Sequence, residues 1–360
     1  MAIRGRSYLR ISINLHTLPH VLRLFTDRLL PVLQFTRFAL VFTAIADGFC
    51  SLMLWNHFKS ELFSAVPFDY RKFLASLAIS VGLYGFGMSL NDLIDRRRDA
   101  QTAPNRPLPS GRINLRLARV VCISLALLAG LGAYFYFKLA HNDPANWMTL
   151  LLLLFTLWLI VFYDMAGKYL VAPGLLTLGL IRFFHACIVA PLVPLLWHPL
   201  ILFNHVAILS TVCYMLEEKR PQLTRVHHLS VWSGILAINA MSIGLLAHRR
   251  MSRGINFQQA LWITPGLLYP AIAVGLFILL AIYLRKITPV SRLAGQKIML
   301  AGLLWLIVYD AAFVAGYVSM AKGAILLLLL PCAYGSVLLM RSASKLISLT
   351  RPPEFKRAHL

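Results

Sequence analysis

Ten apolar runs, separated by short polar connections, make up most of the chain: residues 32–56, 72–91, 117–138, 147–163, 171–196, 199–216, 230–247, 261–284, 297–318 and 323–340. A helix needs roughly 20 apolar residues to cross the hydrocarbon of a bilayer, and most of the runs are near that length. Backbone N–H and C=O groups find no water there, so each run is predicted to be a helix that satisfies its own backbone. The strict apolar–polar alternation of a membrane barrel is absent. The connection "AKGA" before the last run is very short, which makes that run the weakest of the ten. No soluble domain, low-complexity linker or internal repeat interrupts the pattern. The pattern predicts an all-α fold, a polytopic membrane helix bundle.

Composition sharpens this picture. The chain has 360 residues, 59% of them hydrophobic and only 13% charged. A soluble protein of that length has too little interior to hide so much apolar surface. Lys and Arg number 35 against 13 Asp and Glu, a formal net charge of +22. The charges fall between apolar runs, so anionic lipids and an anionic substrate are the expected partners and nucleic acid is not. With the N-terminus on one side, 25 Lys and Arg fall on that side and 8 on the other, with Arg37 and Arg182 inside runs. The positive-inside rule places the richer side, with both termini, in the cytoplasm. Cys50, Cys122, Cys187, Cys213 and Cys332 sit in apolar runs without metal spacing and read as reduced core residues.

Residues 1–31 are Arg-rich and lack the apolar core of a secretory signal. They read as a cytoplasmic amphipathic segment on an anionic leaflet, although a transit peptide has a similar character. Residues 32–341 form the expected membrane domain, and 342–360 a basic cytoplasmic tail.

The chemistry is concentrated in "NDLIDRRRDAQTAPNRPLPSGRI", residues 91–113. Asp92, Asp95 and Asp99 are spaced i, i+3, i+7, and Asn91 precedes Asp95 by four, so all four fit one broad helix face. Carboxylates gathered at a membrane surface repel one another unless a cation lies between them. Hard oxygen ligands of this kind suit Mg²⁺ shared with a substrate phosphate. The plainer reading is surface ion pairing, Asp92 with Arg96 and Asp95 with Arg98, or helix capping by Asn91 and Asp92. Pro104, Pro107, Pro109 and Gly111 then make a stiff turn that is expected to fold Arg106 and Arg112 back over the site. Just upstream, Gly82, Gly85 and Gly87 would let a neighbouring helix come close.

"NDLIDRRRD" and "NRPLPSGRI" resemble the first Asp-rich motif and the following RPxxSG element of the UbiA superfamily of intramembrane prenyltransferases. "TRFALVFTAIAD" is similar to that family's first helix, and "YDMAGKYLVAPGLLTLGLIRFF" to its Tyr…Lys segment and Gly-x-x-Arg helix. The resemblance implies nine or ten transmembrane helices around a central cavity. It implies Mg²⁺-dependent transfer of a prenyl group from an isoprenyl diphosphate to an acceptor. It makes Asn91, Asp92, Asp95 and Asp99 metal ligands, Asp92, Asp95 and Lys168 catalytic, and Arg106, Lys168 and Arg182 diphosphate ligands. The expected setting is a bacterial inner membrane with the site facing the cytoplasm.

The family's second Asp-rich motif falls where this chain reads "CYMLEEKRPQL". Glu217 and Glu218 stand in place of aspartates. Three readings are open: either glutamate holds a second metal, Lys219 and Arg220 take diphosphate charge directly, or ionisation is lost. Lys168 is otherwise a cytoplasmic anchor. Asp47 and Asp310, buried charges in apolar runs, are expected to face the interior and to pair with Arg37 or Arg182. His185 reads as a satisfied interior histidine, and His227 and His228 lack zinc spacing. Two other activities use the same features: phosphoribosyl transfer to polyprenyl phosphate, and non-catalytic binding or transport of an isoprenoid lipid. An unrelated transporter would bind an ion at 91–99 without diphosphate.

Overall fold

A computed structural model of the chain describes residues 29–63, 69–140, 146–192, 195–219 and 221–350. A short helix α1 (Leu30–Phe35) leads through a 3-10 turn into α2 (Val41–Phe63). Then follow α3 (Tyr70–Ile94), α4 (Arg96–Thr102), α5 (Leu115–Leu139), α6 (Asn146–Met165), α7 (Ala172–Cys187), α8 (Trp197–Leu216) and α9 (Arg225–Met251). The last five are α10 (Phe257–Ala260), α11 (Leu268–Ile287), α12 (Ser291–Tyr317), α13 (Met320–Leu327) and α14 (Leu329–Thr350).

Among the described residues, nine helices are long and apolar enough to cross a membrane, and α7 is a shorter apolar helix. The span expected over 171–196 ends at Cys187 instead, because the chain turns into Pro191, and a residue before proline leaves the helical region. The expected run 323–340 is two helices in tandem. Pro331 has no N–H to offer the carbonyl of residue 327, where α13 stops. The helix after it continues past 341 to Thr350. Residues 1–28 and 351–360, most of the expected terminal segments, lie outside the described residues.

Capping sets several helix starts. Asp69 accepts from the N–H of Arg71 at 3.0 Å, and the Arg71 guanidinium bonds the same carboxylate at 3.0 and 3.2 Å. Those guanidinium bonds hold the Asp69 carboxyl below the usual carboxylate range. Asn114 and Thr224 cap α5 and α9, and His227 completes a capping box with Thr224. That use of His227 is structural.

Burial separates lining helices from peripheral ones. In α2, α8 and α12 more than half of the spanning window is buried (67%, 61% and 56%), against 11% in α9 and in α11. The interior therefore belongs to α2, α8 and α12, with α3 and α7 beside them. Helices α3 and α5 pack most intimately. A Cβ on Gly82 would strike the Ala129 nitrogen and the Leu125 carbonyl, and one on Gly132 would strike Ala75 and Ile79. Two glycines on facing helices thus let backbone meet backbone. Gly85 also faces Leu125, whereas Gly87 makes ordinary contact with Ile160 of α6.

Candidate active site

The aspartates lie at the C-terminal end of α3. That helix ends at Ile94, and Asp95 joins it to α4, its N–H still reaching the Asn91 carbonyl at 2.9 Å. The i, i+3, i+7 face therefore carries across the junction. Asp92 and Asp99 are buried, and Asn91 and Asp95 are half-buried.

Two cationic subsites organise the cluster. Arg106 meets Asp99 and, at 3.5 Å, Asp92, and Arg37 reaches the same Asp92 oxygen at 3.3 Å. Lys168, with its side chain only 10% exposed, lies 2.8 Å from Asp95 and 3.9 Å from Asp164. With its amide set to donate, Asn91 bonds Asp95 at 3.2 Å and Asp164 at 2.9 Å. Four carboxylates thus face three cations, each cation from a different segment. No ion pair joins Asp92 to Arg96 or Asp95 to Arg98 among the described residues, so the plain surface pairing is not what forms.

Local structure explains each placement. The turn at 103–113 is closed by Arg106 N–H to Ala103 O at 3.0 Å and by Ile113 N–H to Pro107 O at 3.2 Å, with Gly111 at φ +73°. Leu108 and Ile113 are buried against Phe35 and Ala118, which pins the turn to α1 and α5. Arg106 returns to the aspartates as the prolines lead one to expect. Arg112 does not: it bonds Gln34 and the Asn105 carbonyl, each at 2.7 Å, and so fastens the turn to α1. Arg37 sits at φ +49° between α1 and the 3-10 turn, a left-handed conformation that only local constraint sustains in a non-glycine residue. Lys168 lies on a 3-10 turn, Gly167–Tyr169, held where Gly174 packs on the Gly167 carbonyl.

Arg37 and Asp164 were not singled out from sequence as part of this cluster. Asp164 did leave a signal, since it closes an apolar run four residues before Lys168. Arg37 signalled only a charge inside an apolar run, and nothing in the sequence ties it to residues 91–99 rather than to Asp47 or Asp310.

The second glutamate-bearing segment stands apart. Glu217 caps α8 and pairs with Lys219 at 3.1 Å, and Glu218 takes φ +51° as the chain leaves the helix. Among the described residues, neither pairs with Arg106 or Lys168. Arg220 lies outside the described residues.

A second polar group lies deeper, between α2, α7, α8 and α12. Arg182 pairs with Asp47, donates to Thr43 at 2.8 Å and lies over the Tyr84 ring at 5.8 Å. His185 contacts Ser80 at 3.2 Å and Asp47 at 3.5 Å. Asp310 bonds His198 at 2.7 Å rather than an arginine, and its carboxyl adjoins Asp47. The pairing of Asp47 with Arg182 is as expected. The role of His198 is not legible from sequence, because it starts a helix beside a proline. Arg182 therefore belongs to this interior network and not to the aspartate cluster.

The donor set suits a hard cation, since Asn91, Asp92, Asp95, Asp99 and Asp164 offer only oxygen. No three of these carboxylates converge within 4.8 Å; among the described residues only Cys50, His198 and Asp310 do so. That spacing fits an ion held by one or two carboxylates and completed by phosphate oxygens, the habit of Mg²⁺.

Comparison with known proteins bears on the family and the fold. A stretch of 68 residues is 40% identical to a digeranylgeranylglyceryl phosphate synthase of Methanothermobacter thermautotrophicus, covering 19% of this chain and 24% of that protein. A second synthase of that name, from Methanococcus aeolicus, is 34% identical over 82 residues, 18% of this chain and 29% of that protein. The matched stretches therefore span about a quarter of the curated relatives' length. A solved structure of a digeranylgeranylglyceryl phosphate synthase superposes with a TM-score of 0.53 at 18% identity, covering 81% of this chain and 98% of that one, which shows a shared fold. The profile of the UbiA prenyltransferase family matches residues 62–307, from the end of α2 through the aspartate cluster to the middle of α12, and the chain belongs to that family.

Proposed function

We propose that the chain transfers a prenyl group from an isoprenyl diphosphate to an acceptor within the membrane, with Mg²⁺ as cofactor. The observation that carries this reading is the convergence of Asp92, Asp95 and Asp99 with Arg37, Arg106 and Lys168 at one end of the helix bundle. Family membership supports it.

One or two of Asp92, Asp95 and Asp99, with Asn91 beside them, would hold Mg²⁺, whereas Glu217 and Glu218 stand apart, Glu217 on Lys219. When bound, the ion supplies charge neutralisation to the diphosphate leaving group. The remaining work falls to the chain's own residues. Arg106 and Lys168 exchange their carboxylate partners for diphosphate oxygens, Arg106 through a planar fork and Lys168 as a point charge. Both are held at the site before substrate arrives, so they need only trade partners to meet growing negative charge. Lys219, paired with Glu217 on the segment that follows α8, is a further cation this reading draws on. Arg182 stays on Asp47 and steadies the cavity from below. The surrounding Leu, Ile and Phe side chains keep water from the allylic cation while the acceptor nucleophile captures it. The excess of Lys and Arg on the aspartate side supports a cytoplasmic mouth. The relatives' names make a glyceryl phosphate lipid the first acceptor to offer.

The test is incubation of purified protein with labelled prenyl diphosphates, with and without Mg²⁺. Diphosphate release is expected to require the ion and an acceptor. It should fall roughly 10²–10³-fold in Asp95→Ala, the scale for losing one group that stabilises transition-state charge. Release at the wild-type rate in that variant would overturn the assignment.

A further inference from the structure

On the face opposite the aspartates, the arginines are out of place. Helix α3 ends at the aspartates, and the crossings that follow alternate, which brings the end of α9 to the other side. Contacts agree. Arg250 there donates to the Ala260 carbonyl at 2.6 Å, and Trp197 at the start of α8 donates to Leu261 at 2.7 Å. Cys213, at the other end of α8, meets Gly295 at the start of α12.

Only 8 of the Lys and Arg residues outside the runs fall on this face, and Arg249, Arg250 and Arg253 are three of them. One role is local: cations in the last turn of a helix suit its C-terminal dipole. That accounts for Arg250, which is half-buried and bonded to a carbonyl. It does not account for three. Arg249 and Arg253 are exposed, and among the described residues neither has a carboxylate partner.

All three arginines edge a cleft of about 390 Å³ where α6, α7, α8 and α9 meet. Its walls are apolar: Met148 and Leu152 of α6, Phe183 and Phe184 of α7, and Leu246 of α9. The two phenylalanine rings stand edge to face at 5.2 Å, which gives the wall a fixed form. The cleft thus pairs a cationic rim at interface depth with an apolar slot running inward. A ligand that matches both parts carries negative charge on a head and hydrocarbon behind it.

We propose that this cleft is a binding site for an anionic diacyl phospholipid of the surrounding bilayer. Arg249 and Arg253 hold the headgroup phosphate, and an acyl chain lies along Phe183, Phe184 and Leu152. The site is separate from the aspartate cluster and does not depend on the activity proposed above.

The experiment uses the full chain purified in mild detergent and offered phosphatidylglycerol or phosphatidylcholine of the same chain length. Native mass spectrometry counts the lipids retained. Phosphatidylglycerol should be kept in preference, and Arg249→Gln/Arg253→Gln should weaken its retention about thirtyfold, as two interfacial cations predict. Leu152→Trp, which fills the slot and leaves the rim, should lower retention of both lipids. Unfolding temperatures of the variants confirm that they are folded. Equal retention of the two lipids by wild type would overturn the proposal, as would undiminished preference in the double arginine variant. Displacement by a prenyl diphosphate but not by phosphatidylglycerol would reassign the cleft to substrate and would equally overturn it.

Discussion

Replacing Lys168 by Met separates a structural ion pair from a substrate ligand. Its ammonium lies 2.8 Å from Asp95 and 3.9 Å from Asp164, and the three side chains are only 10%, 14% and 2% exposed. At an effective dielectric of about 20, charges at those separations attract by about 6 and about 4 kcal/mol. Desolvation of the three groups offsets most of that sum. Removing the lysine alone is different, because Asp95 and Asp164 then face each other with only the Asn91 amide between them. Breaking one partner out of a buried pair costs about 3–5 kcal/mol, and uptake of a proton by one carboxyl limits the loss to about 3 kcal/mol. Thermal unfolding in detergent reads this stability. Lys168→Met/Asp95→Asn should recover most of it, since the uncompensated charge is gone. Transferase activity should not recover if, as proposed, Lys168 binds the diphosphate and Asp95 the ion. Recovery of both together would show that Lys168 serves only to neutralise Asp95, and would refute its role as a ligand. Unchanged stability in the single variant would refute the burial argument itself.

Asp47 and Arg182 give a parallel case in the interior. Asp47→Ala leaves a guanidinium that is 11% exposed with Thr43 as its remaining acceptor, and should cost about 3–5 kcal/mol in thermal unfolding. Asp47→Ala/Arg182→Met should be milder; a double variant as unstable as the sum of the singles would show that the two do not act as a pair. Gly82→Leu should lower stability by about 2–3 kcal/mol, because its Cβ meets α5 backbone and neither helix can yield without parting. Wild-type stability in that variant would mean that α3 and α5 are not in close contact.

The structure also shows where periodicity ceases to inform. Apolar runs located nearly every helix, since lipid imposes one backbone solution on any sufficiently long run. They overran α7 and missed the break before α14, because proline ends a helix through its backbone and leaves hydropathy unchanged. The aspartates were legible as a group, being carried on one helix face within eight residues.

What the sequence determined by itself is local. It set the helical membrane class, the cluster at 91–99 and the turn that returns Arg106, all of which rest on neighbours in the chain. Tertiary packing decided the rest. It brought Arg37 to Asp92 across 55 positions and Lys168 to Asp95 across 73. It gave Asp310 a histidine where an arginine was expected, and turned Arg112 outward to Gln34. The reason is physical: a buried charge takes whichever partner the crossing of helices delivers, and helix crossings depend on facing surfaces far apart in sequence.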